Sequence, residues 1–208
     1  YGGMVLAVGD DATGKSSTLA YQSEQTFIAA GVPFFYPRSI HDIIPMGLQA
    51  FALSRLAGCC VGMKIVVDTA DASSIIDLDR IRPKITANNE SGPVHIGRHD
   101  PALVREDRLF NLRLPAVRWF QKAQNINSII GSQPAIGKLG IMTVGKTTYE
   151  VNDALASLGI EGRDRVCSSN IAADVSTTIG DGDGRPALTD LCCPELFWFP
   201  TRKCTKET

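Results

Sequence analysis

Met4-Val5-Leu6-Ala7-Val8-Gly9-Asp10-Asp11-Ala12-Thr13-Gly14-Lys15-Ser16 decides how the chain is read. Its first part is an apolar run, which predicts a buried strand over residues 3–8. Gly9 to Ser16 fits the phosphate-loop pattern G-x-x-x-x-G-K-[ST] letter for letter. The following stretch predicts a helix over residues 16–30, capped by Ser16, Ser17 or Thr18 and closed by Ala29-Ala30-Gly31. A strand, a loop and a helix in that order are the context a phosphate loop requires.

Moving outward, strands and helices alternate. Val32-Pro33-Phe34-Phe35-Tyr36-Pro37 reads as a short strand bounded by prolines. Ser39 caps a predicted helix running to about Leu56 and stopped by Gly58. Met63-Lys64-Ile65-Val66-Val67 is the next strand, with Asp68 and Thr69 at its carboxyl tip. This alternation predicts an α/β fold with a parallel sheet flanked by helices. Residues 70–100 carry turn signals such as Ser91-Gly92-Pro93 and read as an excursion. Residues 102–124 read as a helix that Pro115 kinks or interrupts.

A second, incomplete α/β unit opens with a strand at Leu139 to Val144 and a helix from Lys146 to Leu158, closed by Gly159. Beyond residue 162 the periodicity is lost. The expected organisation is therefore residues 1–81, a linker with a helix over 82–137, the second unit over 138–161, and an irregular tail over 162–208.

Composition narrows the function classes. The chain has 208 residues, 44% hydrophobic and 21% charged, with a net charge of −1. That is ordinary globular composition. It lacks the basic footprint of a nucleic-acid binder. No apolar run is long enough to span a bilayer, and no signal peptide opens the chain, so a cytoplasmic location is expected. Starting at Tyr1 and entering a strand almost at once, the sequence reads as a piece of a longer chain. Cys59, Cys60, Cys167, Cys192, Cys193 and Cys204 form no C-x-x-C spacing, which suits neither zinc nor iron–sulfur ligation. His41, His95 and His99 have no second ligand at metal-site spacing, so no metal site is expected.

Two readings of Gly9–Ser16 compete. A nucleotide hydrolase would use Lys15 and Ser16 on phosphates and Asp68 on magnesium. Asp10 and Asp11 oppose this, because two carboxylates add like charge beside a phosphate. The other reading is a helix start stabilised by those acids and hydroxyls. The same pattern recurs at Gly140–Thr147, where the four middle residues are strand. An extended strand cannot wrap its amides around a phosphate, so that second match is fortuitous.

The longer string Gly2-Gly3-Met4-Val5-Leu6, Gly9-Asp10-Asp11, Lys15-Ser16-Ser17-Thr18, Gln22-Ser23-Glu24 and Phe27 to Pro33 resembles indolepyruvate ferredoxin oxidoreductase. That is a thiamine-dependent 2-oxoacid:acceptor oxidoreductase family. The likeness continues through Ala52-Leu53-Ser54-Arg55, Gly58-Cys59 and Lys64 to Asp68-Thr69, and returns at Leu139 to Thr143, Gly145-Lys146 and Leu158-Gly159-Ile160. It covers roughly the first 160 residues, more loosely between about 82 and 137. The family usually has Ala where Gly14 stands, so Gly14 completes a phosphate-loop pattern the family does not have.

The resemblance implies a pyrimidine-type thiamine diphosphate domain followed by the start of a transketolase C-terminal-like domain. It implies oxidative decarboxylation of a 2-oxoacid to an acyl-coenzyme A, with electrons passing through iron–sulfur clusters to ferredoxin. The cofactors it implies are thiamine diphosphate with magnesium in a shared site, and iron–sulfur clusters in other parts of the enzyme. The activating glutamate, the diphosphate–magnesium domain and the cluster ligands lie outside this sequence, so the chain is expected to be inactive alone; a non-catalytic α/β interaction domain is the alternative beside the nucleotide hydrolase. Expected partners are the remaining domains or subunits, ferredoxin, coenzyme A and further copies of itself. Asp10, Asp11, Lys15 and Ser16 are the candidates for one wall of the cofactor site, against the alternative that they only cap a helix. Asp68 and Thr69 follow, because ligands of parallel sheets gather at carboxyl ends. Past about Arg165 the likeness ends, and Gly180-Asp181-Gly182 lacks the asparagine of a thiamine-metal motif.

Overall fold

The computed structural model describes residues 2–78, 81, 83, 94–130, 140–159, 165–169 and 171–172. Its elements run β1 (Val5–Asp10), α1 (Glu24–Ala29), β2 (Phe34–Phe35), α2 (Ile40–Ala57), β3 (Val61–Val66) and α3 (Val67–Ala70). Then come α4 (Ala102–Arg108), a π-turn (Leu109–Arg113), α5 (Leu114–Ala123), β4 (Ser128–Ile130), β5 (Gly140–Val144), α6 (Thr147–Ser157), β6 (Arg165–Ser169) and β7 (Ile171–Ala172).

The first sheet has the order β1-β3-β2-β7. Its first three strands are parallel, with Val8 opposite Lys64 and Phe35 opposite Met63, and β7 is antiparallel to β2. The expected α/β class therefore holds. β1 is an edge strand rather than a buried one, and Leu6 remains 43% exposed. A second sheet has the order β4-β6-β5, with β5 and β6 parallel and β4 antiparallel.

Period-2 alternation gives the first sheet two faces. Phe35, Val61 and Met63 point to one. There α2 brings Met46, Ala50 and Leu53, and α5 brings Ala116, Val117 and Phe120. Phe35, Leu53 and Phe120 are fully buried, each contributing roughly 1.5–3 kcal/mol of transfer free energy. Within the predicted helix over 102–124, α5 packs into this core, whereas α4 has no buried residue. Val8, Phe34, Gly62 and Lys64 face the other way, under α1. Phe27 of α1 stacks on Phe34 at 5.1 Å. A β-carbon on Gly62 would lie 2.7 Å from the Phe27 ring, so only glycine lets that ring settle on the sheet.

α2 starts after Ser39 and ends at Gly58 with φ 66°, as expected, but the Ser39 hydroxyl makes no capping hydrogen bond. α5 also follows its sequence signal. Pro115 has no N–H and crowds the carbonyl four residues back. The helix opens into the π-turn just before it, and the Leu114 amide bonds to the Leu109 carbonyl.

Three further expectations are corrected. The predicted helix over 16–30 is only Glu24–Ala29, and residues 12–20 form a loop without helical turns. β4 lies inside the predicted linker. β6 and β7 lie inside the predicted irregular tail, where β6 extends the second unit. The remaining tail, with Cys192, Cys193, Cys204 and Gly180-Asp181-Gly182, lies outside the described residues.

Candidate functional site

The loop after β1 is organised by one carboxylate. Asp11 accepts the amides of Lys15 at 2.9 Å, Ser16 at 2.7 Å and Ser17 at 2.9 Å. Its own carbonyl accepts the Gly14 amide at 3.1 Å and the Tyr21 amide at 3.0 Å. Gly14 closes the tight turn at φ 67°, a conformation costly for other residues. Gly14 therefore has a conformational reason to be glycine, whatever pattern it completes. The Ser16 amide, followed by those of Lys15 and Ser17, holds the Asp11 carboxyl well below the usual range, against the opposing effect of burial.

The loop is thus an anion nest whose anion is its own side chain. Converging amides are what a phosphate loop offers, but here a phosphate would have to displace Asp11. No helix follows Lys15 to add a dipole. The Gly140–Thr147 match is strand followed by a turn, as expected.

Above this loop, Lys15 reaches Asp68 in α3. Its Nζ lies 2.5 Å from Oδ1, while Nζ of Lys146 lies 3.4 Å from Oδ2. Lys146 also pairs with Glu150 one turn into α6. Lys15 chiefly lowers the Asp68 carboxyl, and Asp68 in turn raises Lys15. Lys146 is raised first by Glu150 and then by Asp68. Lys15 is 61% exposed, so this pair steers and orients more than it stabilises.

Beneath the loop lies a buried ionic cluster. Asp10, Tyr36 and Lys64 share the α1 face because each is two residues on from Val8, Phe34 and Gly62. Asp10 accepts the Ser23 amide at 2.9 Å and also the Ser23 hydroxyl. Lys64 lies 3.2 Å from Asp10, pairs with Glu24, and sits 4.6 Å above the Tyr36 ring. Its side chain is 2% exposed. Oε2 of Glu24 is buried without a partner. Burial pushes the Tyr36 phenol up to about 12, so it stays neutral, with Glu24 and Asp10 adding to the effect.

Of the residues expected at the site, Asp10, Asp11, Lys15, Ser16 and Asp68 come together at the carboxyl ends of β1 and β3. None of them caps a helix start at residue 16, because no helix begins there. Thr69 is buried in α3 and joins none of these side-chain bonds. Ser23, Glu24, Tyr36, Lys64 and Lys146 were not anticipated as site residues. One signal pointed to them: Lys64 is a lone charge in the otherwise apolar strand Val61–Val66.

These residues do not suit a divalent cation. The oxygens of Asp68 face two ammonium groups, Asp10 is held by Ser23 and Lys64, and Asp11 by three amides. No group of three or more His, Cys, Asp or Glu converges among the described residues. No helix among the described residues is long and apolar enough to cross a membrane. No protein-family model matches the chain, and no curated protein matches it.

Proposed function

We propose that the chain is the pyrimidine-side segment of a thiamine diphosphate-dependent 2-oxoacid:ferredoxin oxidoreductase of the indolepyruvate type. One observation carries this reading. The strings that resemble the family, Gly9-Asp10-Asp11, Lys15-Ser16, Ser23-Glu24, Lys64, Asp68 and Gly145-Lys146, are scattered along the sequence yet gather into one polar cluster. That cluster lies at the carboxyl ends of parallel strands, where α/β folds collect ligands.

In this reading Lys15, Asp68 and Lys146 form the outer rim of a wall shared with the cofactor-bearing half. Asp10, Glu24 and Lys64 hold that wall from beneath. Thiamine diphosphate with magnesium would be anchored mainly by the other half, and the iron–sulfur clusters, ferredoxin and coenzyme A belong to the complete cytoplasmic enzyme. The segment alone carries no activity.

The test is a chimera. Residues 2–159 replace the corresponding segment of an indolepyruvate ferredoxin oxidoreductase, and indolepyruvate-dependent viologen reduction is measured. Activity that falls with Asp68→Asn supports the reading. A folded, cofactor-loaded chimera without activity overturns it. Tight binding of magnesium–ATP by the chain, abolished by Lys15→Ala, would instead establish the nucleotide reading.

A further inference from the structure

A second feature lies at the opposite, amino ends of β2 and β3. A cavity of about 540 Å³ opens between α1, the end of α2 and the π-turn. That volume suits a small organic ligand. Phe27, Phe34, Leu109, Phe110 and Leu114 are among its walls, together with Arg105, Glu106 and Arg113. Arg105 and Glu106 are exposed, whereas Arg113 is only 7% exposed.

A buried guanidinium normally has a carboxylate beside it, because an uncompensated interior charge is costly. Among the described residues no carboxylate lies within ion-pair distance of Arg113, and Glu106 on the same cavity wall is solvent-exposed. Its Nε–H donates to the Val94 carbonyl at 2.7 Å. The other arginines nearby are engaged elsewhere: Arg105 bonds the carbonyls of Asp100 and Arg98, and Arg108 pairs with Asp100. The thiol of Cys59 also lines the cavity, but burial pushes it up to about 11, so it is neutral near pH 7 and supplies no counter-charge. Burial chiefly lowers Arg113, Cys59 opposes that effect, and the neighbouring Arg108 lowers it further.

The π-turn explains how the arginine comes to be there. Such turns insert a residue into a helix and often mark functional positions. Here the turn ends on Arg113, with Leu109 and Phe110 of the same turn also on the cavity wall.

We propose that this cavity is a binding site for an amphipathic monocarboxylate, an aryl or branched-alkyl acid. Arg113 receives the carboxylate, and the aromatic and aliphatic walls receive the apolar body. Guanidinium donors match a carboxylate in shape and charge. The site stands apart from the polar cluster at Asp68 and does not depend on its assignment.

The experiment titrates the 208-residue chain with 4-phenylbutyrate and with its neutral amide, 4-phenylbutyramide, by calorimetry. The acid is expected to bind at least about tenfold more tightly than the amide, the scale of a charge-assisted hydrogen bond. Arg113→Met should remove that preference and leave amide binding in place. Leu109→Trp, which fills the cavity without touching the charge, should abolish both. Equal affinity for acid and amide overturns the proposal, as does unchanged acid binding in a folded Arg113→Met variant. Absence of acid binding to the wild-type chain at millimolar concentration overturns it as well. If Arg113→Met fails to fold, the acid–amide comparison and Leu109→Trp still decide.

Discussion

Lys15 and Lys146 place their ammonium groups on the two oxygens of one carboxylate, Asp68, at 2.5 and 3.4 Å. The two lysines come from the two phosphate-loop-like strings, and Asp68 ties the turn before α6 to the end of β3. Asp68→Asn leaves two cations facing one another across a weakened contact. Amide exchange at Thr148, whose N–H bonds the Gly145 carbonyl at 3.1 Å, should become faster. The Asp68 carboxyl is depressed below its ordinary value of 3.8. Its contribution is therefore complete above 3.8 and is lost as pH falls through the lower folded value. Wild type and Asp68→Asn should differ near neutral pH and converge well below 3.8 in acid melts. Added salt should also narrow the difference, because the groups are partly exposed. A difference that persists in acid would show that the carboxylate charge is not its source.

Asp11 fills the nest that its own loop builds, so removing it should open an anion site. With Asp11→Ala, the amides of Lys15, Ser16 and Ser17 lose their acceptor. Inorganic phosphate should then shift these three amide resonances, with weak affinity on the order of millimolar, while leaving them unmoved in the wild type. The loop over residues 12–20 should also be cut faster by proteases, since the three bonds that order it are gone. Phosphate shifts in the wild type would mean that Asp11 does not hold the nest closed.

How legible this was depended on the range of the interaction. α2 announced itself through Ser39, its apolar spacing and Gly58, all local signals. The second unit was visible in the strand before Gly145 and the helix after it. The loop was not, because its order comes from the Asp11 side chain reaching forward to three amides. Local propensity shows only Ser16-Ser17-Thr18, which resembles a helix cap. The buried cluster was hidden for a different reason. Asp10, Tyr36 and Lys64 share a face only once the register β1-β3-β2 is known. β6 was missed because its partners β4 and β5 lie on separate segments of the chain.

Lys64 pairs with two carboxylates beneath the site, the buried Asp10 and the partly buried Glu24. Lys64→Met leaves Asp10 and Glu24 facing one another without a cation. Breaking such a buried group typically costs about 3–5 kcal/mol. The urea midpoint should fall accordingly. Replacing the acids as well, in Lys64→Met with Asp10→Asn and Glu24→Gln, should recover part of the loss, because no uncompensated charge remains. If the single and triple variants are equally unstable, the cost arises from packing and not from charge.

Tyr36 and Gly145 join the two units by shape. Gly145 has φ 56°, and a β-carbon there would lie 2.4 Å from the Tyr36 ring. Gly145→Ala thus meets two penalties, a left-handed backbone and a steric clash. Together these should cost about 2–4 kcal/mol. The penalties separate in a double-mutant cycle. Tyr36→Ala removes the ring, so the clash vanishes and only the backbone cost of roughly 1–2 kcal/mol remains. Gly145→Ala should therefore be less damaging in the Tyr36→Ala background than in the wild type. Additive effects in denaturant melts would place the Tyr36 ring away from Gly145. The positive φ alone would then account for glycine at that turn.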